Sequence, residues 1–197
     1  MQLLFDIEYM PESHTGHLSP TQDVVNAFNK IYNHKPFTNV LEFGFNTGWS
    51  SAMFLTMFPT VNVTSIEILQ IETAKQGVQT LTEKFAGRFD IVWGDSKQIS
   101  HDVIQGNMTL PRSYDTAFID GGHYPDIVDA DINLCKHLGI KNFIFDDANA
   151  PNIQPALQKH NLRLIEDHPY KIWIKRNGKF KSRANKGWRI GIQHYES

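Results

Sequence analysis

The sequence has little cysteine, no long apolar segment and little net charge. Cys135 is the only cysteine among 197 residues, which excludes a disulfide-stabilised scaffold and favours a reducing compartment. No apolar run approaches the ~18 residues of a membrane-spanning helix, and the first residues lack the pattern of a secretory signal. The net charge of −2 indicates no class of partner. We therefore expect a soluble, cytoplasmic protein that does not contact a membrane.

Strands and helices alternate along most of the chain. The run 61–67 is rich in β-branched residues and predicts a strand, and the apolar stripe over 71–85 follows helical spacing. Further strands are predicted at 89–93 and with ends near residues 43, 119 and 145. Helices are predicted near 49–59, 98–105, 127–138 and 155, and a first helix, capped by Ser19 or Thr21, carries Val24, Phe28 and Ile31 and ends before Pro36. This alternation predicts an α/β fold, a doubly wound and mostly parallel sheet with helices on both faces.

A chain of this length forms one domain, residues 1–197. Residues 1–35 are predicted to form an N-terminal arm and a helix, and residues 36–160 the ligand-binding core. Residues 161–197 show two strand patterns, 163–175 and 188–194, with no helical pattern between them. We therefore expect them to pair antiparallel at the edge of the sheet, as a C-terminal β-hairpin.

Positive charge is concentrated at the C-terminal end. From His160 onward nine Lys and Arg residues stand against three Asp and Glu residues, a balance of +6, so the preceding part carries −8. The basic run 175–186 joins the two predicted strands of the hairpin. It is interpreted most simply as a solvated loop whose lysines keep an edge strand soluble. The alternative is a nucleic-acid surface, because Phe180 lies within the run and Trp173 and Trp188 flank it.

A glycine turn over residues 40–50 is the centre of the predicted ligand site. It reads as a buried strand, a tight turn at Gly44 and a helix that starts after Gly48, where helix and ligand can approach closely. Such a turn directs free backbone N–H groups towards a ligand above the strand end. The turn lacks the Gly-x-Gly-x-x-Gly spacing that receives a pyrophosphate, which disfavours a nicotinamide cofactor.

Acidic or small polar residues follow every predicted parallel strand. Glu67 lies about 20 residues after the glycine turn, where a carboxylate binds ribose hydroxyls. The other strand ends carry Glu42, Asp95 with Ser96, Asp120, and Asp146 with Asp147. Because the carboxyl ends of parallel strands meet at one edge of a sheet, these side chains are expected to form one rim. A cationic nucleoside such as S-adenosylmethionine suits this rim.

Four segments, 41–50, 66–67, 94–96 and 119–124, resemble the successive motifs of class I S-adenosylmethionine-dependent methyltransferases. The resemblance covers roughly residues 36–150 and implies a Rossmann-like methyltransferase fold. It further implies that Glu67 holds the ribose and that Asp95 and Ser96 flank the adenine. The residues implied around the methionine part of the cofactor are Glu42, Gly44, Asn46, Gly48 and Ser50, and Asp120 is also assigned to the cofactor.

Within that class, the Asp-Gly-Gly-His segment at Asp120 and the pair Asp146-Asp147 resemble metal-dependent O-methyltransferases of the macrolide-sugar (macrocin) type. The resemblance implies a Mg²⁺ ion, or another divalent cation, held by these three aspartates. His123 is predicted to be the general base, with Asp120 as the second catalytic residue. Catechol-type members carry Asp-Asn at the aspartate pair and lysine at His123, so catechol acceptors are disfavoured.

The expected function is metal-assisted O-methylation of a small-molecule or sugar hydroxyl. Two alternatives remain open: a nucleic-acid methyltransferase that uses the basic C-terminal run, and a non-catalytic cofactor-binding or scaffold protein. Equally open are a purely structural role for His123 and capping roles for the aspartate pair. The acceptor pocket is predicted from the N-terminal arm with His14 and His17, the segment 106–114 and the turn after Asp147. A homodimer is possible.

Overall fold

A computed structural model describes residues 10–11, 22–146, 150–176 and 179–192, and for residues 163–192 it describes the backbone. The helices are α1 (Gln22–His34), α2 (Trp49–Met57), α3 (Glu72–Lys84), α4 (Ser96–Ile104), α5 (Pro125–His137) and α6 (Gln154–Lys159). The strands are β1 (Asn39–Phe43), β2 (Asn62–Glu67), β3 (Phe89–Trp93), β4 (Thr116–Ile119), β5 (Asn142–Phe145), β6 (Arg163–Arg176) and β7 (Lys179–Ile192). Within these ranges no helix is both long enough and apolar enough to cross a membrane.

The seven strands form one sheet in the order β3-β2-β1-β4-β5-β7-β6. Strands β1 to β5 are parallel, which confirms the predicted α/β architecture. The chain runs outward from β1 through β2 to β3 and then returns to place β4 on the other side of β1. The ends of β1 and β4 are paired at Phe43 and Ile119, so the strand order switches at the carboxyl edge between them. Open parallel sheets bind their ligands at such a point.

Helices cover both faces of the sheet, and each face has its own apolar core. On one face Phe28 of α1 meets Phe54 of α2 edge to face, with ring centroids 4.7 Å apart, and both contact Phe118 of β4. On the other face Ile132 of α5 and Phe143 of β5 are fully buried in a second cluster. The sheet is therefore held rigidly beneath its carboxyl edge.

Helix α4 begins two residues earlier than predicted. The side chain of Asp95 accepts a hydrogen bond of 2.9 Å from the backbone N–H of Lys97 and caps the helix. Asp95 therefore comes two residues after the end of β3 and caps the next helix, which fixes its orientation at the carboxyl edge.

The predicted antiparallel hairpin is confirmed, but the prediction of a loop between its strands is wrong. Strands β6 and β7 stay paired until Arg176 meets Lys179, so the basic run is mostly strand. The polar, basic composition of this run predicted a loop. The strands nevertheless pair, because cross-strand hydrogen bonds are made by the backbone and do not require alternating apolar side chains. The predicted end of the second strand at His194 lies outside the described residues.

Candidate active site

The glycine turn after β1 has three residues with positive φ angles, namely Gly44 at 91°, Asn46 at 54° and Gly48 at 87°. The backbone N–H of Gly44 donates to the carbonyl oxygen of Ile66 at 3.0 Å, which ties the turn to β2. A Cβ atom at Gly44 would lie 2.6 Å from the carbonyl oxygen of Asp120. Only glycine therefore fits where the turn meets the segment that follows β4.

Glu67 holds the glycine turn in place. Its Oε2 accepts the backbone N–H groups of Phe45 at 2.9 Å and Asn46 at 2.6 Å, and its Oε1 accepts that of Leu69 at 2.7 Å. Two of the N–H groups expected to face a ligand thus bind a carboxylate of the protein itself. The Glu67 side chain is buried, and within the described part of the chain its Oε1 accepts one hydrogen bond of the roughly two that a carboxylate oxygen can accept. The ribose role of Glu67 stays a prediction.

Glu42 lies beneath the turn, fully buried, at the centre of a hydroxyl cluster. Its Oε1 accepts the hydroxyl of Ser50, and its Oε2 accepts those of Ser51 and Ser65. The cluster joins β1, the first turn of α2 and β2. Glu42 and Ser50, predicted around the methionine part of the cofactor, therefore support the turn from the interior in this structure. Sequence reasoning missed Ser51 and Ser65, which only the fold brings together.

Two buried carboxyl groups have raised pKa values. Burial raises the pKa of Glu42 from its ordinary 4.5 to about 7, against the opposing effect of the three serine hydroxyls. Burial likewise raises the pKa of Asp131 on α5 to about 7, and the nearby Ser96 side chain opposes this shift. Both groups bind protons more tightly in the folded protein than in the unfolded chain.

Glu42→Gln is expected to remove part of the pH dependence of stability. Because the pKa of Glu42 is raised on folding, its contribution is complete below pH ~4.5 and is lost as the pH rises through ~7. Between these limits the unfolding free energy of the parent protein should fall by about 3 kcal/mol more than that of the variant. Chemical denaturation at pH 4.5 and pH 8 measures this difference.

The matched control for that experiment is Glu72→Gln, at an exposed position in the first turn of α3. This control should retain the parent pH profile. Asp131 is present in all three proteins, so its own contribution cancels. Parallel profiles for the parent protein and Glu42→Gln would contradict the assignment.

Two further contacts that sequence reasoning missed fix the turn from outside the sheet. A Cβ atom at Gly77 of α3 would lie 2.3 Å from the carbonyl oxygen of Thr47, so this helix lies directly against the turn. The sequence signal that could have indicated this close contact is a glycine within a helical pattern. From the N-terminal arm, Met10 is buried near Gly48, and the indole N–H of Trp49 donates to the Pro11 carbonyl at 2.9 Å. His14 and His17 lie outside the described residues.

The end of β3 lies beside Glu67. The backbone N–H of Gly94 donates to the carbonyl oxygen of Glu67 at 2.9 Å, which brings Asp95 and Ser96 next to the end of β2. Asp95 is exposed and Ser96 is half-buried. Large apolar side chains at 68 and 69 are also exposed here, 59% and 50% respectively. This part of the edge therefore offers an exposed apolar surface with polar groups beside it.

Asp120 and Asp146 follow neighbouring strands. The N–H of Asp120 donates to the carbonyl oxygen of Phe43, and that of Asp146 to the carbonyl oxygen of Ile119, both at 3.0 Å. Asp120 is half-buried and Asp146 is buried. The third predicted ligand, Asp147, lies outside the described residues, and those residues by themselves contain no group of three potential metal ligands.

His123 lies three residues after Asp120, half-buried, just before α5. Its carbonyl oxygen accepts a hydrogen bond of 2.8 Å from the side-chain amide of Asn152, which ties this segment to the one that precedes α6. A Cβ atom at Gly44 would lie only 2.8 Å from the Cα of Gly121. The His123 segment is thus fixed between the glycine turn and the segment that precedes α6.

The predicted rim is present at one edge of the sheet for four of its carboxylates, whereas Glu42 is buried beneath it and Asp147 lies outside the described residues. Glu67, Asp95, Asp120 and Asp146 end, or follow within two residues, the parallel strands β2, β3, β4 and β5. The glycine turn occupies the middle of this edge. The arrangement combines the glycine turn with a separate acidic region that contains a histidine.

Comparison with protein families identifies the class to which this site belongs. Residues 41–142 match the family model described as "Methyltransferase domain". The matched part includes the glycine turn, the cluster around Glu42 and the segment of Asp120 and His123. The chain belongs to this methyltransferase family, and it is an enzyme that uses S-adenosylmethionine as methyl donor. No curated protein matches the chain.

Solved methyltransferase structures share the fold. A precorrin-6y C5,15-methyltransferase from Geobacter metallireducens is similar with a TM-score of 0.68 at 14% identity, over 96% of each chain. An O-methyltransferase from Bacillus cereus in complex with SAH gives 0.60 at 15% identity, over 90% of this chain and 83% of that one. An O-methyltransferase of tomaymycin synthesis from Streptomyces achromogenes gives 0.56 at 16% identity, over 90% and 81%. At these identities the likeness shows the Rossmann-like fold alone.

Proposed function

We propose that this enzyme transfers the methyl group of S-adenosylmethionine to a hydroxyl oxygen of a small molecule or a sugar. The observation that carries the proposal is the close contact of the glycine turn with the segment 120–123, where Gly44 meets the backbone of Asp120. A cofactor seated on the turn would present its methyl group towards the part of the edge where Asp120, Asp146 and His123 lie.

The cofactor would lie across the middle of the carboxyl edge. Its methionine part would lie over the turn, whose conformation depends on Glu42 and Glu67 from below. Its ribose would reach the remaining acceptor position of Glu67, and its adenine the surface beside Asp95. O-methyltransferases occur among the proteins of similar fold, which is consistent with a hydroxyl acceptor.

The chemical step is a displacement at the methyl carbon. A lone pair of the acceptor oxygen forms the new C–O bond while the C–S bond breaks, which leaves S-adenosylhomocysteine and an ether. The hydroxyl proton passes to a ring nitrogen of His123, the proposed general base. The contacts that fix the backbone of this segment would position His123 for an acceptor hydroxyl in line with the methyl group, and such orientation supplies much of the rate.

Asp120, Asp146 and Asp147 would hold a divalent cation beside the acceptor. The first two follow adjacent strands and supply the hard oxygen donors that Mg²⁺ prefers, so the donor chemistry fits. A cation bound there lowers the pKa of a hydroxyl that it contacts. The described residues supply two of the three carboxylates, and the proposal therefore depends on Asp147 completing the set.

Metal dependence is tested with Asp146→Ala. This variant is expected to bind S-adenosylmethionine as tightly as the parent in calorimetry, but to bind Mn²⁺, as a Mg²⁺ substitute, at least about tenfold more weakly in electron paramagnetic resonance. Turnover is followed as S-adenosylhomocysteine released with a panel of sugar and phenol acceptors. Chelation of the parent should lower this release at least about tenfold, and added Mg²⁺ should restore it.

The control for the aspartate is Asp23→Ala, at an exposed position on α1. It should match the parent in every assay. Normal Mn²⁺ affinity and normal turnover in Asp146→Ala would refute the metal site. Turnover that persists in chelator would refute the role of the cation but would remain consistent with methyl transfer to a hydroxyl.

A further inference from the structure

The C-terminal hairpin extends well beyond the sheet that it joins. Strand β7 pairs with β5 only over Asn142–Phe145, with Phe145 opposite Arg189. Residues 179–188 of β7 therefore continue past the end of β5, and β6 accompanies them as far as the pairing of Arg176 with Lys179. Ten strand residues span about 30 Å. We call this projecting part, residues 168–176 and 179–188, the ribbon.

The ribbon leaves the sheet on the side of the active site. Because β7 is antiparallel to β5, its earlier residues lie beyond the carboxyl end of β5. That is the edge where Asp120 and Asp146 lie. The register places the pair His168–Trp188 one residue beyond Phe145, so the ribbon starts directly beside the proposed acceptor region.

The ribbon region carries charge of one sign. Between residues 169 and 187 the sequence contains seven basic and no acidic residues. The basic residues are Lys171, Lys175, Arg176, Lys179, Lys181, Arg183 and Lys186. The register sets Arg176 directly opposite Lys179. Like charges at opposed positions destabilise a strand pair, and a two-stranded ribbon without a third strand is only marginally stable.

The ribbon therefore carries a dense concentration of positive charge. Its repulsion is relieved when an extended polyanion lies along the ribbon and displaces its own counterions. Aromatic residues are interleaved with the cations, at Tyr170, Trp173 and Phe180. Single-stranded nucleic acids are bound by this combination, since the cations follow the phosphates while exposed bases stack on aromatic rings.

We infer that the ribbon binds single-stranded nucleic acid and holds it beside the edge of the sheet where Asp120 and Asp146 lie. The inference rests on the projection, direction and charge of the ribbon and does not depend on which atom accepts the methyl group. Binding can therefore be measured without turnover, and failure of the O-methylation proposal would leave it unaffected.

The test measures the affinity of the full-length protein for a fluorescein-labelled 20-nucleotide oligo(dT) by fluorescence anisotropy at several salt concentrations. The triple variant Lys175→Gln, Lys179→Gln, Lys181→Gln is expected to raise the Kd at least about tenfold. It should also reduce the magnitude of the slope of log association constant against log salt concentration by about 2, because each of the three lost phosphate contacts contributes ~0.7. Trp173→Ala should raise the Kd at least about fivefold through lost stacking.

The control triple Lys35→Gln, Lys75→Gln, Lys141→Gln changes the net charge equally at exposed positions away from the ribbon. It should alter the Kd less than threefold. Unchanged S-adenosylmethionine binding in both triples shows that they are folded. The inference is overturned if the ribbon triple binds like the parent, if both triples lose affinity equally, or if a 20-base-pair duplex binds as tightly. Displacement of the oligonucleotide by polyglutamate as readily as by unlabelled oligo(dT) overturns it in favour of an acidic protein partner.

Discussion

Gly44→Ala is expected to abolish detectable binding of S-adenosylmethionine and to lower the unfolding free energy by about 3 kcal/mol or more. The new methyl group would lie 2.6 Å from the carbonyl oxygen of Asp120, and the three nearest atoms all belong to the backbone of Asp120 and Gly121, which cannot move aside as a flexible side chain would. The φ angle of 91° adds a cost of about 1–2 kcal/mol for any residue with a Cβ. The clash can be relieved only if the turn moves away from the segment that contains His123. Calorimetric titration and denaturant unfolding measure the two effects.

Gly87→Ala separates backbone strain from the clash. Gly87 also has a positive φ, at 76°, but a Cβ there meets no atom within 4 Å. We expect this control to lose only about 1 kcal/mol and to bind the cofactor normally. Cofactor binding at parental affinity in Gly44→Ala would show that the contact between turn and acceptor segment is not needed for the site.

His123→Ala is expected to reduce kcat by about 100- to 10,000-fold, the usual contribution of a positioned general base. The Kd for S-adenosylmethionine should not change, because the part of this segment that meets Gly44 is the backbone of Asp120 and Gly121, which the substitution leaves in place. Added imidazole should restore part of the rate by replacing the missing base. Release of S-adenosylhomocysteine under saturating cofactor provides the measurement.

His101→Ala serves as the control for the histidine. His101 lies exposed on α4, beside Asp102, and its loss should leave kcat unchanged. A full rate in His123→Ala at every pH would assign His123 a structural role in the segment that Asn152 anchors. A reduced rate without rescue by imidazole would likewise argue against proton transfer at this residue.

Secondary structure was predicted most accurately where a single local sequence pattern determines a helix or strand. Strand β3 was predicted at its observed bounds, Phe89–Trp93, because five residues of strand composition stand between a glycine and the Gly-Asp pair. The rim of carboxylates followed from topology, since parallel strands must bring their carboxyl ends to one edge. Asp95, Asp120 and Asp146 could therefore be placed together before their side-chain contacts were known.

The contacts beneath the glycine turn could not be predicted in this way. Glu42 looks like a surface carboxylate at a strand end, and only the fold brings Ser65, 23 residues later, within hydrogen-bonding distance. Asp131 has the spacing of a solvated position on an amphipathic helix, yet it is fully buried. Such positions depend on the approach of neighbouring helices, for which a local pattern carries no signal.

The order of the strands in the sheet determines when each strand can pair while the protein is being synthesised on the ribosome. Strand β7 lies between β5 and β6, although it is made after both. The nascent chain can complete the five parallel strands early, but β6 has no neighbour until β7 emerges from the exit tunnel and inserts. During that interval β5 has an open edge, which makes the incomplete chain vulnerable to aggregation or chaperone capture. Slow translation beyond residue 162 would lengthen this vulnerable period.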